Sequence, residues 1–397
     1  MQALAVGCGS LVGRAYWHDV HTGHAINIPI RVGIVGCGQI SGRYLENAKR
    51  FAAFEVVAVA DVRPEAAQAR AAEFGIPRAL GVEELLADPE VEVVVNLTPH
   101  RAHAEVGRRV LEAGKHLYSE KPLAIYRADA RALLDLAAQR GLRVGAAPDT
   151  FFGGAWQTAR QLVDDGTIGE PVGALACLHA RPPSRPAPRA GEYVSFYLTD
   201  FFEYGGGWAF DRGPYYLHAL INLLGPIQRV TGSARTTWDE REHGGKRRKV
   251  NAPTHVAGLL DFANGAVCQF LMTADVYATG LPHVEVYGTE GSLRCIDPNN
   301  FGGTLYLRRP ASPELVPVET TRFGYTGNSR GVGVADMAAA IRSGRPHRAS
   351  GELGYHTLDV VTAIHEASAE NRHVALGSTC DRPAPLPPGL ADWTIDP

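Results

Sequence analysis

The sequence predicts an α/β amino-terminal half with a doubly wound parallel sheet, then an α+β half with a large open, mainly antiparallel sheet. Three observations carry this expectation. Between residues 30 and 147, short continuous Val/Ile runs alternate with Ala-rich helical stretches. Such runs suit strands covered on both faces, and strand–helix alternation builds parallel sheets. Beyond residue 250, strand candidates come in pairs joined by short Gly-containing turns, as antiparallel hairpins do. Finally, 397 residues exceed one typical core, so two domains are expected.

The elements follow in order. Strands are predicted at 31–35, 56–60, 93–97, 116–119 and 143–147, with helices at 64–74 and 102–113 between them. In the second half, 256–262 and 266–274 form a hairpin turning at Asn264-Gly265, and 283–287 and 292–296 form another. Helical patterns at 334–342 and 355–370 close the chain before a Pro-rich tail. Residues 181–189, dense in Pro and Arg, read as an irregular loop. The run Lys246-Arg247-Arg248-Lys249 reads as a solvated hairpin loop.

Composition narrows the function classes. A net charge of -3 gives no field that would gather nucleic acid or acidic lipid. The six cysteines are scattered with no C-x-x-C spacing, so free thiols are expected rather than a zinc ribbon or disulfide framework. No apolar run approaches the roughly 18–20 residues of a membrane span. Arg14, His18, Asp19 and His21 interrupt any secretory pattern, so a cytoplasmic protein is expected. The histidines His100, His179, His243, His255, His283 and His365 form no cluster at metal-ligand spacing, and no metal is expected.

Gly36-Cys37-Gly38-Gln39-Ile40 follows the first strand and opens a helix. Glycine lets the backbone turn tightly and approach a pyrophosphate, which then meets the helix amino end. Ser41 fills the third small position. Asp61, at the end of the second strand and followed by Val62 and Arg63, is placed to take adenosine ribose hydroxyls. The acid favours NAD; Arg63 keeps NADP open. A second Gly-x-Gly within residues 6–13 lacks a following strand that ends in an acid, and residues 1–29 read as an extension.

Asp211, Tyr215, His218 and Asn222 are spaced four, three and four residues apart. On a helix they fall within roughly 60° of one face. Their other neighbours are largely apolar, so the stripe should line a cleft or face solvent. Pro214 suits a first helical turn and Gly225-Pro226 a stop, and Asp211 could alternatively cap the helix.

Several motifs combine: Asn96-Leu97-Thr98-Pro99 followed by His103, Ser119-Glu120-Lys121-Pro122-Leu123, the stretch from Gly205 through Asp211-Arg212-Gly213-Pro214-Tyr215 to His218, and Gly288-Thr289-Glu290-Gly291. With the glycine loop and Asp61, they resemble the glucose–fructose oxidoreductase/inositol dehydrogenase/MocA family over roughly residues 30–375. The resemblance implies a Rossmann dinucleotide-binding domain at 30–150 and a substrate-binding, oligomerisation domain at 151–380. Its last helices, within 334–372, could return to the first domain, and 381–397 would form the tail. It implies a homo-oligomer, dimer or tetramer, joined through the carboxy-terminal sheet.

The resemblance also assigns roles. Thr98, Pro99, His103, Glu120 and Lys121 would approach the nicotinamide side, and Lys121 would stabilise developing alkoxide. Tyr215 stands where many members carry histidine as acid/base. A tyrosine ordinarily titrates near 10, so it needs a cation such as Lys121 to act near neutrality. His218 replaces an acid frequent in the family; it could bind substrate or be the base itself. Asp149 and Trp208, with Lys121, Asp211, Tyr215 and His218, would shape a pocket for a polyhydroxylated small molecule. The implied activity is NAD(P)-dependent hydride transfer at a hydroxyl-bearing carbon of a sugar, sugar derivative or cyclitol. Two alternatives stay open: tightly bound NAD cycling through a sugar elimination, and a non-catalytic sugar- or nucleotide-sensing regulator.

Overall fold

The computed structural model describes residues 28–179, 207–243, 246–276, 278–320 and 322–397. The amino-terminal part is a six-stranded parallel sheet: β1 (Ile30–Val35), β2 (Phe54–Ala60), β3 (Ala79–Leu80), β4 (Val93–Asn96), β5 (His116–Ser119) and β6 (Val144–Ala146), in the order β3-β2-β1-β4-β5-β6. Continuous burial along β1, β2 and β4 shows why their Val/Ile runs do not alternate: helices cover both faces. These helices are α1 (Ser41–Ala48), α2 (Pro64–Phe74), α3 (Val82–Ala87), α4 (His103–Glu112) and α5 (Arg127–Arg140). Pro64 opens α2 and Gly75, at φ 69°, ends it. The strand order reverses between β1 and β4, which opens a crevice at their carboxyl ends.

After α6 (Gly154–Asp164) comes a nine-stranded, mostly antiparallel sheet in the order β16-β15-β14-β13-β7-β12-β11-β8-β17. Its strands are β7 (Pro171–His179), β8 (Ile227–Arg235), β11 (His255–Phe262), β12 (Val267–Thr273), β13 (Val284–Gly288), β14 (Gly291–Cys295), β15 (Leu305–Arg309), β16 (Ser312–Val318) and β17 (Val374–Ala375). Both predicted hairpins form; β11 and β12 turn through Gly265 at φ 90°. One pair, β7 with β12, is parallel. Helix α7 (Gly207–Leu224) and α9 (Gly351–Glu370) pack on this sheet, whereas α8 (Val332–Ser343) packs against β6 and β2 of the first.

Four expectations need correction or completion. The basic run is a strand rather than a loop: β10 (Lys246–Lys249) pairs antiparallel with β9 (Glu240–His243), with Lys249 opposite Glu240 and Arg248 opposite Arg241. Pro214 lies inside α7 rather than in its first turn, and Asp211 is an interior residue rather than a cap. The polar stripe of α7 neither faces solvent nor ends in an open cleft; His218 and Asn222 are fully buried. The tail is a strap. Leu386 donates to Gln157 at 2.8 Å, Arg160 to the Pro383 carbonyl at 2.9 Å, Arg348 to Asp396 at 2.6 Å, and Arg50 lies 3.8 Å from the Trp393 ring centre. Residues 181–189 and nearly all of 1–29 lie outside the described residues.

Candidate active site

The glycine loop sits where β1 ends. Gly36 has φ 104°, and a Cβ there would lie 2.6 Å from the Leu97 backbone, so glycine is required on two counts. At Gly38 a Cβ would meet nothing within 4 Å; the backbone faces open space before the amino end of α1. Ser41 donates to the Gly38 carbonyl at 2.6 Å and Asp61 accepts from the Cys37 amide at 2.8 Å, fixing the loop on both sides. Asp61 also accepts from the Arg63 amide at 2.9 Å, with the Arg63 guanidinium at 3.5 Å. Gln39 is exposed, Ile40 half-buried, and Val62 88% exposed at the mouth. A cradle of glycine backbone, a helix amino end and an adjacent acid fit a dinucleotide pyrophosphate and its ribose.

Across the crevice, Asn96 holds the Thr98 turn, accepting from the Thr98 hydroxyl at 2.6 Å. Pro99 begins a short turn, its carbonyl accepting from Ala102 at 2.8 Å. His103 is buried with Nδ1 2.6 Å from the Pro122 carbonyl and Nε2 2.8 Å from that of Thr98. It therefore ties the Thr98 loop to the Lys121 loop. Glu120 accepts from the Tyr44 hydroxyl and from the Lys121 amide, both at 3.0 Å.

Lys121 reaches α7. Its ammonium donates to the Asp211 carbonyl at 3.0 Å and pairs with the Asp211 carboxylate. Burial alone would lower the Lys121 pKa, but Asp211, Tyr215 and Glu120 outweigh it and hold the ammonium above its ordinary value. Lys121 is thus a fixed cation, not a neutral amine. Its Nζ lies 5.4 Å from the Tyr215 ring centre. Arg212 contacts Asp211 at 3.0 Å and lies 5.6 Å from the ring centre of the buried Trp208.

His218 is one turn deeper. Its Nδ1 lies 2.9 Å from the Pro148 carbonyl, its ring meets Phe151 edge-on, and burial pushes its pKa down to about 4. Asp149 is also buried, its Oδ2 accepting from the Gly331 and Gly333 amides at 2.8 and 3.1 Å. Burial pushes its carboxyl up to about 6.

Two residues escape the sequence reading. His100 is buried near Lys121 and Asp211, and burial followed by the neighbouring His103 lowers it to about 4. The Arg330 guanidinium lies 6.0 Å from the Tyr215 ring centre and donates to Asn299 Oδ1 at 2.6 Å. No spacing rule links Arg330 to α7; the only local signal is a Gly-flanked run, Gly327-Asn328-Ser329-Arg330-Gly331, before a helix. Among the described residues, no group of three or more His, Cys, Asp or Glu is placed to hold a metal ion, and no helix is long and apolar enough to cross a membrane.

A Rossmann-type sheet with a nucleotide cradle, facing an ion-paired lysine and a tyrosine, defines a dinucleotide-dependent class of protein. Residues 30–147 match the model of the oxidoreductase family with an NAD-binding Rossmann fold, and residues 156–294 match the GFO/IDH/MocA C-terminal domain. The chain belongs to this GFO/IDH/MocA oxidoreductase family. It is 31% identical over 358 residues to an inositol 2-dehydrogenase of Rhizobium meliloti (strain 1021), covering 87% of this chain and 99% of that one. It is 28% identical over 348 residues to a 1,5-anhydro-D-fructose reductase of Ensifer adhaerens, covering 85% and 96%. A crystal structure of an NAD binding oxidoreductase from Klebsiella pneumoniae superposes with a TM-score of 0.75 at 25% identity, covering 88% and 99%.

Proposed function

We propose that this protein transfers a hydride between NAD and a hydroxyl-bearing carbon of a sugar, sugar derivative or cyclitol. The observation that carries this reading is the Lys121–Asp211 ion pair beside Tyr215, across the crevice from the glycine cradle. A bound nicotinamide would supply the hydride chemistry, and the chain's own residues the rest.

Gly36, Gly38, Gln39 and Ile40 hold the pyrophosphate, Asp61 with Val62 and Arg63 borders the ribose, and Thr98, Pro99, His103 and Glu120 form the nicotinamide-side wall. Lys121 donates to the substrate oxygen and stabilises its developing charge. Asp211 keeps that ammonium aimed, Trp208 walls the substrate site, and Tyr215 exchanges the hydroxyl proton. His218, bonded to Pro148 and far below its ordinary pKa, supports α7 rather than acting as base. Asp149 acts through the loop it anchors rather than by touching substrate. The molecule works as a homo-oligomer joined through the outer face of the nine-stranded sheet.

A panel of sugars and cyclitols with NAD and NADP, read by nicotinamide absorbance, tests the reading. NAD is the preferred cofactor, and Asp61→Ala narrows its advantage over NADP because the carboxylate repels a 2′-phosphate. A parent protein that prefers NADP would contradict the Asp61 assignment. No turnover across the panel, with cofactor retained through purification, would point instead to the redox-cycling elimination.

A further inference from the structure

We infer that Arg330 selects a substrate carrying a carboxylate, so that the sugar derivative is a sugar acid rather than a neutral sugar or cyclitol. This rests on the hydride-transfer reading and names its substrate class. A guanidinium stays charged at every working pH, and withdrawing it from water without a counter-ion is costly. The buried arginines of the described residues obey that rule. Arg160 pairs with Asp164 at 2.6 Å, Arg348 with Asp336 at 2.5 Å, and Arg241 with Asp275. Arg330, half-buried, does not. Its side chain donates to neutral acceptors: Asn299 Oδ1 at 2.6 Å, the Asn299 carbonyl at 3.5 Å and Asn328 Oδ1 at 3.2 Å. No carboxylate among the described residues forms an ion pair with it. The two asparagines leave further N–H groups of the guanidinium for another acceptor.

The position of this cation connects it to the reacting centre. The Arg330 guanidinium lies 6.0 Å from the Tyr215 ring centre and 6.0 Å from that of Phe301, while the Lys121 ammonium lies 5.4 Å from the same Tyr215 ring. A molecule whose hydroxyl meets Lys121 and Tyr215 therefore rests beside Arg330. The acids of the site are committed elsewhere. Asp211 holds Lys121 and Arg212, Glu120 takes the Tyr44 hydroxyl and the Lys121 amide, and Asp149 takes the Gly331 and Gly333 amides. The counter-ion that Arg330 lacks is thus left for the ligand to bring. A carboxylate matches the planar fork and supplies one charge to one uncommitted cation. A phosphate would bring nearly two charges to the same single partner.

The cation is held ready before any ligand arrives. Asn47 of α1 donates to the Arg330 carbonyl at 2.9 Å and to that of Asn328 at 3.1 Å. Asp149 fixes the other side of the loop through the amides just named, and Gly331 enters α8 at φ 103°. Both halves of the molecule therefore hold the Arg330 backbone, and little ordering cost is left for binding.

Matched pairs test the inference: glucuronate against glucose, and gluconate against sorbitol, with glucose 6-phosphate as the phosphate arm. In the parent protein with NAD, kcat/KM for the acid exceeds that for its neutral partner at least about tenfold. Arg330→Gln reduces that ratio roughly 10- to 100-fold, as expected for one hydrogen bond to a charged group, and Arg330→Lys restores part of it. NAD affinity, measured by calorimetry on the same variants, stays with the parent. A parent that uses the neutral partners equally well overturns the inference, as does a preference for the phosphorylated sugar. An unchanged acid-to-neutral ratio in Arg330→Gln overturns it too, and so does a loss confined to NAD binding, which would give Arg330 to the cofactor. Should Arg330→Gln fail to fold, the parent's own preference decides. If no compound is oxidised, the hydride-transfer reading fails, and calorimetric binding of glucuronate against glucose to the NAD-loaded parent decides the inference by itself.

Discussion

Lys121, Tyr215 and His218 lie near one helix but in different chemical settings. Lys121 is held charged by Asp211, Tyr215 is flanked by two cations, and His218 is neutral and sealed against Pro148. Lys121→Ala is expected to lower kcat by roughly 10²–10³, the cost of one donor to a developing oxyanion, with cofactor binding intact. Tyr215→Phe abolishes chemistry while His218→Asn mainly weakens folding or KM; steady-state kinetics with a thermal melt separates them, and the reverse pattern would make histidine the base. Asp149 gives a pH-dependent prediction. Its carboxyl, raised from 3.8 to about 6, stays protonated in the folded chain while the unfolded chain ionises. Its stabilising contribution is complete below about pH 4 and lost as pH rises through about 6, by at most roughly 3 kcal/mol. Asp149→Asn, which retains an acceptor for Gly331 and Gly333, therefore gains stability relative to the parent between pH 4 and 7. Denaturant melts that show a flat or shrinking difference over that range would refute this.

At the scale of elements, the β1–α1 turn carries two glycines with opposite demands. A Cβ at Gly36 meets Leu97 backbone and would sit at positive φ, so Gly36→Ala should cost roughly 1–3 kcal/mol of stability. A Cβ at Gly38 meets open space, so Gly38→Ala should fold with a stability change within roughly 0.5 kcal/mol. Its methyl would nonetheless stand where the pyrophosphate is expected, so NAD affinity should fall. Calorimetric NAD titration beside a melt checks both, and normal NAD binding by Gly38→Ala would remove the cradle assignment. Helix α7 shows the converse of a surface helix. Of its described residues only Arg212 is not buried, because the sheet packs on one side and α6 and α9 on others. Its stripe of Asp211, Tyr215, His218 and Asn222 accordingly became internal hydrogen-bonding partners rather than one open wall.

For the whole molecule, one face of the nine-stranded sheet carries several exposed apolar side chains among the described residues. Leu259, Gln269, Leu175, Glu285, Arg294 and Tyr306 form one row across it, and Asp261, Val267, Gly173, Tyr287, Ser292 and Arg308 the next. Leu259, Val267, Tyr287 and Tyr306 are each more than a third exposed. These exposed apolar side chains, set among polar neighbours, suit the proposed self-association surface. Val267→Glu combined with Tyr287→Glu should lower the oligomeric state in light scattering without unfolding the chain. A parent protein that is monomeric at micromolar concentration would exclude the proposal. The carboxy-terminal strap adds a second long-range tie: Asp392 holds the Tyr325 amide, a few residues before Arg330, and Trp393 packs on Phe51 of the first half.

Sequence alone pointed to the parallel sheet, because short Val and Ile runs that fail to alternate suit strands buried on both faces and they alternate with helical stretches. It also determined the hairpins, through Asn264-Gly265 and the Gly288–Gly291 turn, and the glycine loop with Asp61, whose parts are close in the chain. It missed β3, whose two residues show no period, and misread β10, because its pairing with β9 is not visible in a basic run. What only the tertiary structure decided is which groups meet across the crevice. Arg330 and Tyr215 come from distant segments, and Asp149 reaches the loop before α8, so no local periodicity encodes either contact. The depth of α7 was likewise set by the layers packed around it. That burial, not the spacing of its polar residues, separates Tyr215 beside two cations from His218 in the core.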